Sequence, residues 1–275
     1  MMESQGLEVT GHRTAMVNPG LFREGLVARP ARVGEIIRNA LREMGVDRCP
    51  VLGAVPGFQS ALHVLELPKA RGLDPREFIP REASRTLGVA PAVSILAWHQ
   101  MPDWLGRTRW VVASTTRRSL ASYLDTLQSA GLRLRAVDLR AFALARAVGQ
   151  SEAVIAYSAL DGVEVVIVKE WTPVACQSSV WGSEPVEEAV LMDRLTDIIE
   201  RTIGSYDQRH PEAPLSEDTP LYLCGSAPGS ETDLGPQLAD TLGRSAGELS
   251  IPMVAPEDFP VRDFVVNVGL ALREA

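Results

Sequence analysis

The sequence predicts an α/β protein built from two similar lobes. Strand-like and helix-like segments alternate along all 275 residues, and the second half repeats the organisation of the first. The hydrophobic share of 45% and the charged share of 23% are those of an ordinary globular protein. The length is sufficient for one large domain or for two modest ones, each with its own core.

The first half is predicted to contain six strands and four helices. Apolar residues at helical spacing followed by Gly45 predict the first helix, and Asp74-Pro75 begins a second helix that Pro80 should kink or divide. The predicted elements are a strand at 6–17, a helix at 33–45, strands at 49–57 and 61–69, a helix at 74–88, strands at 92–101 and 108–115, a helix at 117–131, a strand at 133–139 and a helix at 140–149.

The second half begins with the segment AVIAYSALDGVEVVIVKEW, residues 153–171, which predicts a β-hairpin with Asp161-Gly162 as its turn. A long helix comes next, in which the apolar residues from Leu191 to Tyr206 keep a period of about 3.6. The other predicted elements are a strand near 172–180, a Pro-rich loop at 210–220, a strand from 221 into a Gly-rich turn, a helix at 233–243, a short strand at 251–254 and a closing helix at 263–275.

Charge and residue spacing argue against several classes of function. The net charge of −8 argues against a nucleic-acid surface, and the basic cluster from Arg107 to Arg118 is interpreted as a solvated loop and helix start. The three cysteines and four histidines show neither CxxC nor HExxH spacing, so no metal site is predicted. No segment approaches the roughly eighteen apolar residues of a membrane span. We therefore expect a cytoplasmic protein that reaches a membrane through partners, without direct membrane insertion.

Several segments taken together resemble a known family. They are VLGAVPG (51–57), LELPK (65–69), EFIPREASRTLG (77–88), the run from Trp110 to Gly149, LYLCGSAPG (221–229) and NVGLALREA (267–275). In order and spacing they resemble the type IV pilus assembly protein PilM, an FtsA-like family of the actin and Hsp70 superfamily. The segments AVDLRAFALARAVG and VGLALREA carry most of this resemblance.

The resemblance implies a two-lobed actin-like (ribonuclease H-like) α/β fold with an inserted α/β subdomain in the first lobe. The first lobe would span residues 1–150, with the insertion at about 51–135. The second lobe would span 151–261, and a closing helix at 262–275 would return to the first lobe.

The resemblance also implies a scaffold in type IV pilus, secretion or competence machinery, acting by protein–protein contact. Such a protein would bind the cytoplasmic tail of a PilN-like inner-membrane protein and contact other pilus assembly components. In the family the tail lies in a groove between the first lobe and the insertion. Carried over as a region, this groove is expected around Ile37, Leu41, Phe58 and Leu62.

The nucleotide site of the family is degraded in this sequence. Actin-type sites surround the phosphates with two glycine-bearing hairpins, and an Asp on each hairpin helps to position the magnesium ion. Residues 7–17 match the segment that comes after the first hairpin in the family, so that hairpin is missing from the sequence. In the second hairpin, Ala156 and Ser158 stand where the family has Asp and Gly. We therefore expect no ATP hydrolysis and no cofactor.

Some remnants of a nucleotide site remain. Asp138 matches the family's acidic residue between the lobes, but it is also interpreted as a helix N-cap. Gly225, Ser226 and Gly229 match the adenosine loop, while Gly225 equally fits a turn glycine with positive φ.

The sequence supports three hypotheses about function. The first is the scaffold without catalysis, and the second is an ATP- and magnesium-binding ATPase whose first phosphate loop lies upstream of residue 1. The third is an unrelated two-lobed α/β enzyme, which ranks last because no GxGxxG, GxxxxGK[ST] or GxSxG motif is present. Without the first hairpin, residues 7–17 would form an open sheet edge, which predicts a homodimer or a strand-adding partner.

Overall fold

The computed structural model describes residues 7–23, 26–46, 49–68, 74–90, 92–159, 162–181, 188–226 and 233–274. Its amino-terminal half contains a short hairpin and two small sheets. The strands of this half are β1 (Phe22–Arg23), β2 (Leu26–Val27), β3 (Pro50–Val55), β4 (Ser60–Pro68), β5 (Ser94–Trp104), β6 (Arg107–Thr116) and β7 (Arg133–Leu139). The helices are α1 (Pro30–Glu43), α2 (Pro75–Leu87), α3 (Arg117–Ser129) and α4 (Arg140–Val148).

Strand pairing divides this half in two. β3 and β7 pair in parallel, from Pro50 opposite Arg133 to Val55 opposite Leu139. β4, β6 and β5 form an antiparallel sheet in that order, which we call the inserted sheet. Helix α2 covers one face of the inserted sheet, where Ile79 and Ala83 are buried.

The carboxy-terminal half is a four-stranded sheet in the order β10-β9-β8-β11, flanked by helices. β11 runs parallel to β8, whereas β9 is antiparallel to both of its neighbours. The strands are β8 (Glu152–Ala159), β9 (Gly162–Lys169), β10 (Thr172–Val180) and β11 (Leu221–Gly225), and the helices are α5 (Glu188–Arg209), α6 (Gly235–Thr241) and α7 (Val261–Ala271).

This sheet is buried on both faces. Val154 and Ala156 of β8 face the core that contains α5 and α6, whereas Ala153 and Ile155 face the core that contains α4 and α7. A strand covered on both sides is expected to be apolar throughout, and β9 follows this pattern from Val163 to Val168 except at Glu164. The first of these cores extends to the inserted sheet and includes its residue Leu62.

Helix α7 joins the two halves, because it contacts α4, β11 and β3. Gly269 allows the close approach of α7 to α4, since a Cβ atom there would lie 1.8 Å from the Ala143 carbonyl oxygen. The lobe boundaries remain a prediction; in the structure β8 begins at Glu152, beside the predicted start of the second lobe.

Three predicted elements differ from the structure. The predicted strands at 6–17 and 251–254 are reduced to one bridge between Glu8 and Val254, because Val9 packs into the core beside α7 instead of joining a sheet. The open edge predicted at 7–17 is therefore wrong. Pro80 does not divide α2, which runs unbroken from Pro75 to Leu87.

Candidate functional site

A buried polar cluster lies where the amino-terminal half meets the carboxy-terminal sheet. Its centre is Glu164 of β9, which is only 2% exposed. The N–H of Gly57, just after β3, donates a hydrogen bond of 2.8 Å to Glu164 Oε2. Arg140 Nε, at the start of α4, lies 3.6 Å from the same oxygen. The cluster therefore connects three elements through one carboxylate.

Aromatic and thiol groups complete this cluster. The Arg140 guanidinium lies over the ring of Tyr157, at the end of β8, 5.0 Å from its centroid. The Cys176 thiol donates a hydrogen bond of 3.4 Å to Glu164 Oε1. Burial, and then the neighbouring Glu164 charge, raise the pKa of Cys176 well above its usual value, so this group stays a protonated donor.

The close packing of this cluster leaves no space for a side chain at position 57, where the chain has Gly57. A Cβ atom at Gly57 would lie 2.3 Å from Ser178 Oγ and 2.8 Å from Glu164 Cδ. Any larger residue would have to displace the Ser178 or Glu164 side chain, or move the end of β3 away from the carboxy-terminal sheet. The hydrogen bond between the Gly57 N–H and Glu164 thus depends on the absence of a side chain.

The structure places the predicted nucleotide remnants at the ends of β8 and β11. Ala156 and Ser158 are buried, and Ser158 Oγ has no hydrogen-bond partner among the residues described. Gly225 has φ of +76°, and a Cβ there would lie 2.0 Å from the Ser158 carbonyl oxygen. Ser226 Oγ hydrogen-bonds with an Asp263 carboxylate oxygen of α7. Gly229 and Asp161 lie outside the described residues.

Asp138 is bound within the protein. Its Oδ1 accepts a hydrogen bond of 2.9 Å from the Leu139 N–H, and its Oδ2 pairs with the Arg146 guanidinium. Arg146 Nε also donates a hydrogen bond of 2.8 Å to the Gly269 carbonyl. The N-cap position of α4 is Leu139, so the predicted N-cap at Asp138 is wrong. Asp138 instead ties β7 to α4 and, through Arg146, to α7.

These residues do not fit a magnesium nucleotide. The second hairpin has no carboxylate at Ala156 to bind a magnesium ion, and its Glu164 carboxylate is buried against the Gly57 N–H and the Arg140 guanidinium. In the described part of the chain, no group of three or more His, Cys, Asp or Glu side chains could hold a metal ion.

A second candidate site is an apolar cleft between the inserted sheet and the β3–β7 sheet. Its volume is about 280 Å³. One wall carries Ile95, Ala97 and His99 of β5, which alternate along one face of the strand. The opposite side carries Val55, Leu120, Val137, Leu139 and Phe142. We call this site the apolar cleft.

The four residues predicted for the partner groove are not brought together. Ile37 and Leu41 lie on α1, which packs against α3. Leu62 is 4% exposed within the core. Phe58 lines a neighbouring hollow of about 890 Å³ that also includes Arg117 and Arg118. This hollow and the apolar cleft share Ser114 and Thr115 at the end of β6.

Sequence reasoning missed the Glu164 cluster and the walls of the apolar cleft. Glu164 had a signal, because it is a charged residue inside an otherwise apolar, doubly buried strand. Its partners Gly57 and Arg140 are distant in sequence and carried no such signal. The cleft walls had no local signal beyond the strand pattern of β5.

The described helices include none that is long and apolar enough to cross a bilayer. No protein-family model and no curated protein sequence matches this chain. Solved structures do match. The chain is similar to a protein of the PilM–PilN type IV pilus biogenesis complex, with 21% identity and a TM-score of 0.68 over 94% of this chain and 89% of that chain.

Two further structures are similar. One is the ethanolamine utilization protein EutJ from Carboxydothermus hydrogenoformans, with 14% identity and a TM-score of 0.51 over 92% of this chain and 77% of that chain. The other is the cytoplasmic domain of EpsL, an inner-membrane component of the type II secretion system of Vibrio cholerae, with 14% identity and a TM-score of 0.51 over 86% of this chain and 80% of that chain. The predicted two-lobed actin-like α/β fold is confirmed, as is the predicted structural likeness to PilM.

Proposed function

We propose that this protein is a PilM-like component of a type IV pilus or related secretion system. It binds the cytoplasmic tail of a PilN-like inner-membrane protein and is held at the inner face of the membrane by that partner. The observation that carries the proposal is the apolar cleft between the inserted sheet and the β3–β7 sheet, in a fold that matches a PilM–PilN complex over 94% of the chain.

The cleft is suited to an extended apolar segment. Its walls offer aliphatic and aromatic groups, among them Ile95, Leu139 and Phe142, and its volume of about 280 Å³ accepts one or two large side chains. Burying a leucine-sized side chain contributes about 1.5–3 kcal/mol, so two such anchors supply about 3–6 kcal/mol of the roughly 8 kcal/mol that micromolar binding requires. The tail would therefore combine a few apolar anchors in the cleft with main-chain contacts along its edges, which must also offset the ordering costs.

We further propose that tail binding operates without ATP hydrolysis. The Glu164 cluster already connects the end of β3, the start of α4 and the carboxy-terminal sheet, so these elements need no bound phosphate to be held together. The alternative is an ATPase whose first phosphate hairpin comes from outside this sequence. Calorimetric titration with ATP and magnesium separates the two, because micromolar binding would support the alternative.

We also propose that the chain can associate with itself or with a partner strand through an open sheet edge. This edge is not the one at residues 7–17 that the sequence predicted. Among the described strands, β3 pairs only with β7 and leaves its other edge without a partner strand. Unpaired edges accept strands from a partner or from a second copy. Light scattering that gives the mass of one chain would count against self-pairing.

The test of tail binding is a calorimetric titration with a peptide of the PilN-like tail. Ala97→Phe should fill the cleft from the exposed wall of β5 and weaken binding at least about tenfold. The matched control is Ala121→Phe, at an exposed position on α3 that does not line the cleft. Equal affinities of the two variants, or no binding by the unaltered protein, would contradict the proposal.

A further inference from the structure

Two hairpins present large apolar side chains to solvent at their tips. The β5–β6 hairpin turns through Leu105-Gly106, and Leu105 is 70% exposed. The β9–β10 hairpin turns through Glu170-Trp171, and Trp171 is 67% exposed. Neither side chain contributes to the cores or to the proposed tail site.

The backbone of both turns is unusual for these residues. Leu105 has φ of +46°, and Glu170 and Trp171 have φ of +51° and +65°. Two-residue hairpins with positive φ at both positions favour Asn-Gly or Gly-Gly, because a β-carbon is strained there. Large side chains held in such a conformation at an exposed tip indicate a function other than folding.

An ion pair joins the two tips. Arg109 of β6 donates a hydrogen bond of 2.6 Å to Glu170 Oε2 and another, of 2.9 Å, to the Pro102 carbonyl. Its guanidinium lies 5.9 Å from the ring centroid of Trp104. The five residues Trp104, Leu105, Arg109, Glu170 and Trp171 therefore form one surface, which we call the hairpin-tip surface.

This surface presents no excess of positive charge, because acidic side chains, among them the exposed Asp103, accompany its basic ones. Arg109 pairs with Glu170, Lys169 with Glu152 at 2.8 Å, and Arg107 lies 3.6 Å from Glu66. A partner would therefore not be attracted by net charge, and the apolar tips must supply the binding. Leu105 and Trp171 are apolar side chains at the tips of turns, and neither lines the apolar cleft or the hollow beside it, so this surface offers no described pocket for a protein partner.

We propose that the hairpin-tip surface inserts Leu105 and Trp171 into the headgroup and acyl boundary of a lipid bilayer. A fluid interface accepts convex apolar groups without a complementary pocket, and the amphipathic ring of Trp favours this depth. The contact is shallow and reversible, and it departs from the expectation that partners alone bring the protein to a membrane. It does not depend on tail binding.

Flotation of the full chain with lipid vesicles tests this surface. Vesicles of phosphatidylcholine should carry the protein, and added phosphatidylglycerol should not increase the bound fraction, because the surface presents no excess of positive charge and the chain has a net charge of −8. Leu105→Asn combined with Trp171→Gly should lower the bound fraction at least about tenfold. Both substitutions suit turns with positive φ, so the variant is expected to fold at least as stably as the unaltered protein.

The matched control is Val180→Asn, at the opposite end of the β10 strand. Val180 is 62% exposed and about 30 Å from Trp171 at the rise of a strand. This variant should float like the unaltered protein. The proposal is overturned if the unaltered protein floats with neither vesicle, or if both variants float equally. A change in mass by light scattering without a change in flotation would overturn it in favour of contact between copies.

Discussion

Among single residues, Glu164 makes the buried polar contacts that connect the two halves of the molecule. It is a nearly inaccessible carboxylate that accepts a hydrogen bond from the Gly57 N–H and faces Arg140. Removing one member of a buried pair is costly, because the remaining charge loses its compensation. The geometry therefore assigns Glu164 to the connection between the two halves.

Glu164→Gln is expected to lower the free energy of unfolding by about 2–4 kcal/mol, because Arg140 would lose a buried carboxylate. Urea unfolding measures this change. The matched control is Glu152→Gln, which removes a half-exposed carboxylate from Lys169 and should cost less than about 1 kcal/mol. Similar small losses in both variants would show that the cluster does not hold the halves together.

His63 of β4 introduces a pH dependence. Burial, with a smaller effect from the Arg209 charge, lowers the pKa of His63 below its ordinary value of 6.5. A histidine whose pKa is lower in the folded state contributes stability that is complete above the unfolded value of 6.5 and is lost as the pH falls from there through the lower pKa of the folded state. We therefore expect His63→Gln to reduce the loss of melting temperature between about pH 7.5 and about pH 5.5. An unchanged loss would contradict this contribution.

Among the contacts between elements, the packing of α7 on α4 leaves no room for an added side chain at Gly269. The Cβ of Gly269→Ala would overlap the Ala143 carbonyl, so α7 must shift, and the free energy of unfolding should fall by at least about 2 kcal/mol. Gly204→Ala is the matched control, because its Cβ meets nothing within 4 Å on α5 and should stabilise the helix by up to about 1 kcal/mol. Opposite signs of the two effects in urea unfolding are the expected result, and a stabilising effect of Gly269→Ala would contradict the packing.

The elements also show how much of the fold the sequence could predict. Helices such as α1 and α5 follow from a local period of apolar residues, and the β8–β9 hairpin from two apolar runs around a turn. The prediction of a strand at 6–17 was wrong, because the apolar residue Val9 packs beside α7 and the segment does not join a sheet. The β1–β2 hairpin was missed because two-residue strands leave no periodic pattern.

The candidate sites were harder to predict than the elements. The sequence predicted that Ala156 and Ser158 depart from a phosphate hairpin, but it did not indicate the Glu164 carboxylate on the next strand or its distant partners. The walls of the apolar cleft belong to strands and helices whose relative placement is a tertiary property. The family resemblance implied a groove between the insertion and the first lobe, but none of the four residues that it implied lines the cleft.

In the molecule as a whole, two internal contacts connect elements of the amino-terminal half to the carboxy-terminal half. The Glu164 cluster connects α4 to the carboxy-terminal sheet. The Asp138–Arg146 pair connects β7 to α4, and Arg146 also connects α4 to α7. The apolar cleft then lies between parts of the chain that are already held in place. On the proposed scaffold function, partner binding should therefore be independent of nucleotide.

The decisive measurement is the calorimetric affinity of the PilN-like tail peptide for the full chain, with and without an excess of ATP and magnesium. We expect the same affinity in both conditions, no heat from ATP and magnesium alone, and a loss of affinity in Ala97→Phe. Tail binding that appears only with nucleotide, or none in either condition, would contradict a scaffold that works without nucleotide.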